Sequence, residues 1–226
     1  MSRTLVFSQN EFYHIYNRGT EKRIIFSIKA DYERFIALLY LCNGIENIHL
    51  NNLPRLSLAE RLLSDQTDPI VNIVAYCLMP NHFHLMLQER VDKGISRFMQ
   101  KVITGYTMYF NKRNERTGVL FQGKFKATHA NQDNYLKYLI SYIHLNPIKL
   151  TDSRWKEKGI EDKKRAENFL NQYPHSSYLD YCGKKRLEEK IINKEALPEY
   201  FSSVNNFKTI TRDWLEYRPL TEVEPR

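Results

Sequence analysis

The chain reads as an α+β domain, an antiparallel sheet with helices packed on it, followed by a mostly helical C-terminal extension. Three observations predict this. The hydrophobic patterns run strand, helix, two strands, helix, strand, helix. The two central strands are joined only by Pro80-Asn81, a turn. Helical stretches end on stop signals, at Asn43-Gly44, Thr117-Gly118 and Asn146-Pro147. The order places the helices on one face of the sheet.

Taken in order, Glu11 to Gly19 alternates as a short strand closed by glycine. From Asp31 the period becomes helical, with Phe35, Leu38, Leu39 and Cys42 recurring at three and four. His49 to Asp68 is polar and reads as an excursion with a short helix at Leu56–Leu63. Ile73–Leu78 and Leu85–Gln88 are rich in β-branched, aromatic and apolar residues and form the hairpin. After Lys93-Gly94, Ile95, Phe98, Met99, Val102, Tyr106, Tyr109 and Phe110 mark one helical face, which is core. Val119 to Thr128 reads as a strand or hairpin arm, and Asn131 to Leu145 as a helix. Beyond Ile148 the signals weaken, apart from the compact Tyr173-Pro174-His175-Ser176-Ser177-Tyr178.

A length of 226 residues, 42% of them hydrophobic and 13% aromatic, suffices for one sizeable domain with an extension. No apolar run reaches about 18 residues, so no membrane span is expected. Neither a signal peptide nor metal-knuckle cysteine spacing is visible. Cys42, Cys77 and Cys182 fit reduced thiols in a cytoplasmic protein. The net charge of +8 is concentrated: between Val91 and Leu150 ten Lys/Arg stand against three Asp/Glu. Such a surface suits a polyanion, most commonly nucleic acid. Arg97, Lys101, Lys112, Arg113, Lys124 and Lys126 are the candidate DNA contacts, the alternative being an ordinary solvated surface.

Two stretches carry chemistry. His82 and His84, two apart at the start of a strand, leave the same sheet face, with Phe83 on the other. Two neutral imidazoles on one face make half of a divalent-metal site. The competing reading is a turn histidine and a core histidine. In the helix 133–146, Leu136, Leu139, Ile140 and Ile143 form the packing face. Tyr135, Tyr142 and Asn146 line up away from it, and Tyr138 lies slightly further round. A tyrosine one turn before an amide suits phosphodiester cleavage, the phenol attacking phosphorus and the amide carbonyl completing the metal shell. A structural tyrosine row is the alternative.

His82-Phe83-His84 after the Ala75 to Asn81 strand and turn resembles the histidine–hydrophobe–histidine (HUH) motif of single-tyrosine transposases. More narrowly, the chain resembles the REP-associated tyrosine transposases. Tyr13 to Gly19, Gly118 to Lys126, Tyr142 to Pro147 and Tyr173 to Tyr178 agree with it in order, covering roughly residues 10–181. The resemblance implies a ferredoxin-like, RNA-recognition-motif-type fold in residues 1–150, with 151–226 as a C-terminal extension. It implies Mg2+ or Mn2+ on His82 and His84, with Asn146 after Tyr142 as a further ligand. It also implies attack by a helical tyrosine on single-stranded, hairpin-bearing DNA from palindromic repeats, through a 5′-phosphotyrosine link. Tyr142 is the expected nucleophile, with Tyr135 and Tyr138 on the same helix as the other candidates. Insertion-sequence relatives work as homodimers with exchanged helices, whereas the palindrome-associated branch need not. A ferredoxin-like binding module with structural histidines, and a metal-dependent phosphodiesterase using water, are the alternative functions.

Overall fold

A computed structural model of the chain describes residues 5–45, 57–62, 68–201 and 203–216. Four strands form one antiparallel sheet: β1 (Phe12–Arg18), β2 (Val71–Met79), β3 (His82–Glu89) and β4 (Lys126–His129), in the order β2-β3-β1-β4. Helix α1 (Lys29–Leu41) links β1 to β2, and α3 (Gly94–Arg113) links β3 to β4. This is the ferredoxin-like arrangement. A short α2 (Leu58–Leu62) falls inside the expected 56–63 helix, whose end residues Leu56 and Leu63 lie outside the described residues.

Alternation along the strands splits the sheet into two cores. Tyr13, Ile15, Phe83, Leu85 and Leu87 pack with Phe35, Leu38 and Leu39 of α1 and with Phe98, Val102 and Tyr106 of α3. The other face does not stay bare. Helix α4 (Asp133–Leu145) lies across β2 and β3 there, burying Leu136, Leu139, Ile140 and Ile143 against Val74, Ala75, Cys77 and Met86. The expectation of helices on one face is therefore corrected to both faces. The reason is visible in β2, which is apolar on both sides: Val71, Ile73, Tyr76 and Leu78 face one core and Val74, Ala75, Cys77 and Met79 the other, with a bulge between Ile73 and Ala75.

The segment after α4 continues as a 3-10 turn, Asn146–Leu150, and then α5 (Trp155–Lys158), α6 (Lys163–Leu170), α7 (Tyr178–Tyr181) and α8 (Val204–Glu216). It covers the outer edge of β2. Leu78 N–H donates to the His175 carbonyl (2.9 Å) and Ser177 N–H to the Tyr76 carbonyl (3.0 Å). Tyr173 and Tyr181 hydroxyls donate to the Leu78 and Val74 carbonyls, both at 2.6 Å. An edge that would otherwise offer unpaired backbone is thereby satisfied. Arg186 clamps this segment, meeting the buried Asp180 at 2.5 Å and donating to the Pro174 carbonyl at 2.7 Å.

The stretch expected as a strand over 119–128 yields only β4. Gly118 and Gly123 take positive φ (87° and 68°), which turns residues 119–125 off the strand path. That loop is tied to β1 instead, by Gln122 N–H to the Arg18 carbonyl (2.8 Å) and Asn17 Nδ2 to the Gly123 carbonyl (3.2 Å). Gly19 ends β1 where a Cβ would sit 2.4 Å from the Arg23 carbonyl oxygen. All three cysteines are free thiols. Among the described residues no helix is long and apolar enough to cross a membrane.

Candidate active site

His82 opens β3 and His84 follows on the same face, their ring centroids 5.0 Å apart and their planes nearly perpendicular. The Pro80-Asn81 turn is pinned from outside: Ile25 and Phe26 N–H groups donate to the Pro80 carbonyl, at 2.8 and 2.9 Å. Asn81 does more than turn the chain. Its Nδ2 donates to the Lys22 carbonyl (3.3 Å), which leaves Oδ1 to accept the Nδ1–H of His82 at 2.6 Å.

His84 is buried, and its ring is held from two sides. Asn146 Nδ2 donates to His84 Nε2 (3.3 Å), so the His84 proton sits on Nδ1 and is donated to Nε2 of His14 at 2.9 Å. His14 comes from β1, where the register sets it opposite Met86 and sets Tyr16 opposite His84. Both histidines of the pair thus carry their protons on Nδ1 and keep Nε2 as the lone-pair nitrogen. This is the tautomer a metal-ligating histidine needs, with the other nitrogen oriented by an outer partner.

Tyr142 stands over this pair. Its ring meets the edge of His84 at 5.4 Å and of His14 at 6.0 Å, from within the same chain. Tyr138 lies 5.9 Å from Tyr142, and Tyr135 a further 5.9 Å along, stacked on Tyr138. Of the three tyrosines on α4, Tyr142 is the one brought to the histidines. Burial first, and then the neighbouring Tyr142, raise the pKa of the Tyr16 phenol above its ordinary value.

The helix is locked from below. His144, wholly buried, donates its Nδ1–H to the Ile140 carbonyl (2.9 Å) and accepts at Nε2 from the Ser177 hydroxyl (2.7 Å). Tyr76 N–H donates to that same hydroxyl oxygen at 2.9 Å. Burial holds His144 neutral, pushing its pKa down to about 3. Two residues from Tyr142, this link fixes the helix against β2 and the Tyr173–Tyr178 segment.

The expected DNA contacts divide. Lys126 pairs with Tyr16 across β1 and β4, on the histidine face, and is exposed. Lys124 is exposed in the loop just before it. Arg97, Lys101, Lys112 and Arg113 ride on α3, which packs on the opposite face, and the structure does not bring them to the histidines. Lys101 Nζ donates to the Gly44 carbonyl (2.9 Å), and Arg113 pairs with the fully buried Asp31 carboxylate (3.1 Å). Sequence reasoning missed His14, Tyr16, Arg18 and Asn81. His14, Tyr16 and Arg18 share one parity in β1, the only local signal available. That parity could not say which face held the histidine pair.

As a metal centre the donor set is two imidazoles and an amide. Among the described residues no three His, Cys, Asp or Glu side chains group as a metal site. The tautomers fit a metal at Nε2 of His82 and His84. Asn146 presents Nδ2 to His84, and as a ligand it would present Oδ1 instead.

Residues 55–146 match the family model described as transposase, IS200-like. That match covers less than half of the chain's 226 residues. That segment contains the hairpin, both paired histidines, all three tyrosines of α4 and Asn146. The whole fold is similar to a solved structure of a REP-associated tyrosine transposase bound to a REP hairpin. The TM-score is 0.50 at 11% identity, covering 83% of this chain and 90% of that one. A search of curated proteins gives no match. The likeness to that solved structure is one of fold.

Proposed function

We propose that this chain cleaves and rejoins single-stranded, hairpin-bearing DNA, with Tyr142 as nucleophile. The observation that carries the reading is the placement of Tyr142 against His84 (5.4 Å) and His14 (6.0 Å), with Asn146 one turn further at His84. The activity is assigned to residues 1–150. The hairpin substrate is supported by the solved relative of the same fold, which is bound to a REP hairpin.

In the reaction the Tyr142 phenol oxygen attacks the scissile phosphorus. A P–O bond to tyrosine forms, the P–O bond to the 3′-oxygen breaks, and the phenolic proton is balanced by protonation of the released 3′-hydroxyl. The phosphodiester energy stays in the 5′-phosphotyrosine, so a 3′-hydroxyl can reverse the step without an external energy source. An ordinary phenol titrates near pH 10 and attacks poorly when protonated. A divalent metal, Mg2+ or Mn2+, bound by His82, His84 and Asn146 would supply charge to polarise the phosphate and stabilise the leaving oxygen. Asn81 and His14 hold the two imidazoles as Nδ1–H tautomers, and at His84 a metal on Nε2 would take the place of the Asn146 Nδ2–H. The His144–Ser177 link keeps Tyr142 at the histidines while bonds are exchanged.

The test is a covalent protein–DNA band on a denaturing gel, using a hairpin oligonucleotide with single-stranded flanks. Wild type should form the band with Mg2+ or Mn2+ and lose it on chelation. Tyr142→Phe should abolish the band while preserving the fold, because only the phenolic oxygen is removed. A band that survives in Tyr142→Phe and vanishes in Tyr135→Phe or Tyr138→Phe would reassign the nucleophile. Metal-dependent cleavage without any band would make water the attacking group, and binding without cleavage would make the chain a recognition module.

A further inference from the structure

On the histidine face α4 lies across β2 and β3. Among the described residues, no helix lies over β1 and β4 on this face as α4 does over its neighbours. Tyr16 is left half-buried there, and Arg18 and Lys126 are exposed. Tyr16, Arg18 and Lys126 thus form an open strip, here called the groove, on the β1–β4 part of the sheet. Its wall is the edge of α4 that carries Tyr135, Tyr138 and Tyr142, all half-buried.

Three features of that groove point to one occupant. The tyrosines of α4 form a row of rings, stacked at 19° between Tyr135 and Tyr138 and tilted at 31° between Tyr138 and Tyr142. Tyr16 belongs to the same array, since its ring lies 5.0 Å from His14 and 5.9 Å from His84, the two rings that Tyr142 also meets. Cations stand along the floor: Lys126 pairs with Tyr16 across the strands, and Arg18, opposite His82, is steadied by Gln122 at 3.1 Å. Aromatic faces beside a line of cations suit an unpaired strand, whose bases offer flat rings and whose phosphates carry the negative charge. A duplex hides those rings inside its stack.

We infer that Tyr135, Tyr138 and Tyr16 form a stacking platform for the unpaired bases flanking the scissile phosphate, with Lys126 and Arg18 taking the phosphates of that strand. This rests on the reading of Tyr142 as nucleophile for its location, because the row ends at that residue. It makes single-strandedness a requirement of binding and assigns two of the α4 tyrosines to substrate recognition. Phosphates in the groove hold the strand in register for Tyr142, while stacking is indifferent to base identity.

The test uses the full chain carrying Tyr142→Phe, in chelator, so that binding is read without cleavage. The probe is a hairpin oligonucleotide whose single-stranded flank carries 2-aminopurine at one position at a time. Fluorescence should be quenched at one or two adjacent flank positions. Adding Tyr138→Ala should remove the quenching and weaken binding roughly 5- to 150-fold, the worth of one stacked base, with the salt slope unchanged. Tyr138→Phe keeps the ring and should retain both. Lys126→Ala should leave the quenching and flatten the salt slope by about 0.7, one single-strand phosphate. A Tyr138→Ala protein with unaltered circular dichroism that binds and quenches like its parent would overturn the platform. So would a blunt duplex that competes as well as the flanked hairpin. Adduct formation by the unmutated chain is scored separately. An adduct without flank quenching removes the platform alone, and quenching without an adduct removes the Tyr142 chemistry alone.

Discussion

The two faces of this sheet are made from alternate residues of the same strands, and they are built to opposite ends. Beneath, Phe83, Leu85 and Leu87 of β3 meet Tyr13 and Ile15 of β1 and the aromatic sides of α1 and α3. Above, the intervening residues His84 and His14 meet Tyr142 of α4 and Asn146 just after it, with His82 and Tyr16 alongside. Burial of apolar area dominates the lower face. On the upper one, buried polar groups must each find a partner, because an unmet donor or acceptor costs about 1–3 kcal/mol. A change of volume should weigh most on the lower face, and a change of hydrogen-bonding pattern around the histidines of the upper one. A single-residue step along β3 crosses from one regime to the other.

The largest effect on stability should come from the lower face. Phe83→Ala removes a ring that touches Phe35 and Phe121, with centroids at 5.0 and 5.8 Å, and should cost about 3–5 kcal/mol in urea unfolding. Should the loss stay below about 1 kcal/mol, the contrast between the faces would fail at its stronger side. On the upper face the corresponding change is at His14. His14→Ala takes away the acceptor that orients His84, and Mn2+ affinity by titration calorimetry should fall about 10- to 100-fold while folding survives. Unaltered Mn2+ affinity in a folded His14→Ala protein would remove His14 from the positioning shell.

A third comparison runs through pH. His144, on the upper face, has its pKa lowered by burial from 6.5 to about 3, and His175, half-covered by the Tyr32 ring, from 6.5 to about 4. Between those values and 6.5 the unfolded chain binds protons that the folded protein refuses. Stability from these groups is therefore full above pH 6.5 and lost as pH falls through that window. The slope for each is at most about 1.4 kcal/mol per pH unit. Unfolding free energies measured between pH 7 and pH 5 should fall, and His144→Gln should flatten the decline. An identical slope in His144→Gln would mean that this histidine is not held neutral.

Much of this molecule was determined by sequence of short range. Alternation wrote β1 and the hairpin, the three-and-four spacing wrote α1, α3 and α4, and Pro80-Asn81 set the turn that places two histidines on one face. Helical geometry likewise aligned Tyr142 with Asn146 before any contact was known. These features need only neighbours within one turn or one pleat. Other features needed partners far apart in the chain. Which face α4 covers depended on the apolar residues of β2 and β3, Val74, Ala75, Cys77 and Met86, left uncovered by α1 and α3. That His14 meets His84 depended on strand register across 70 residues. Choosing among Tyr135, Tyr138 and Tyr142 by proximity to the histidines required the helix to be docked. The cations of α3 were legible as charge, but charge alone does not say which side of a sheet it will occupy. Local periodicity specifies what an element is and which of its own residues share a face. Only packing, which joins elements through surfaces whose phases must match, decides which faces meet.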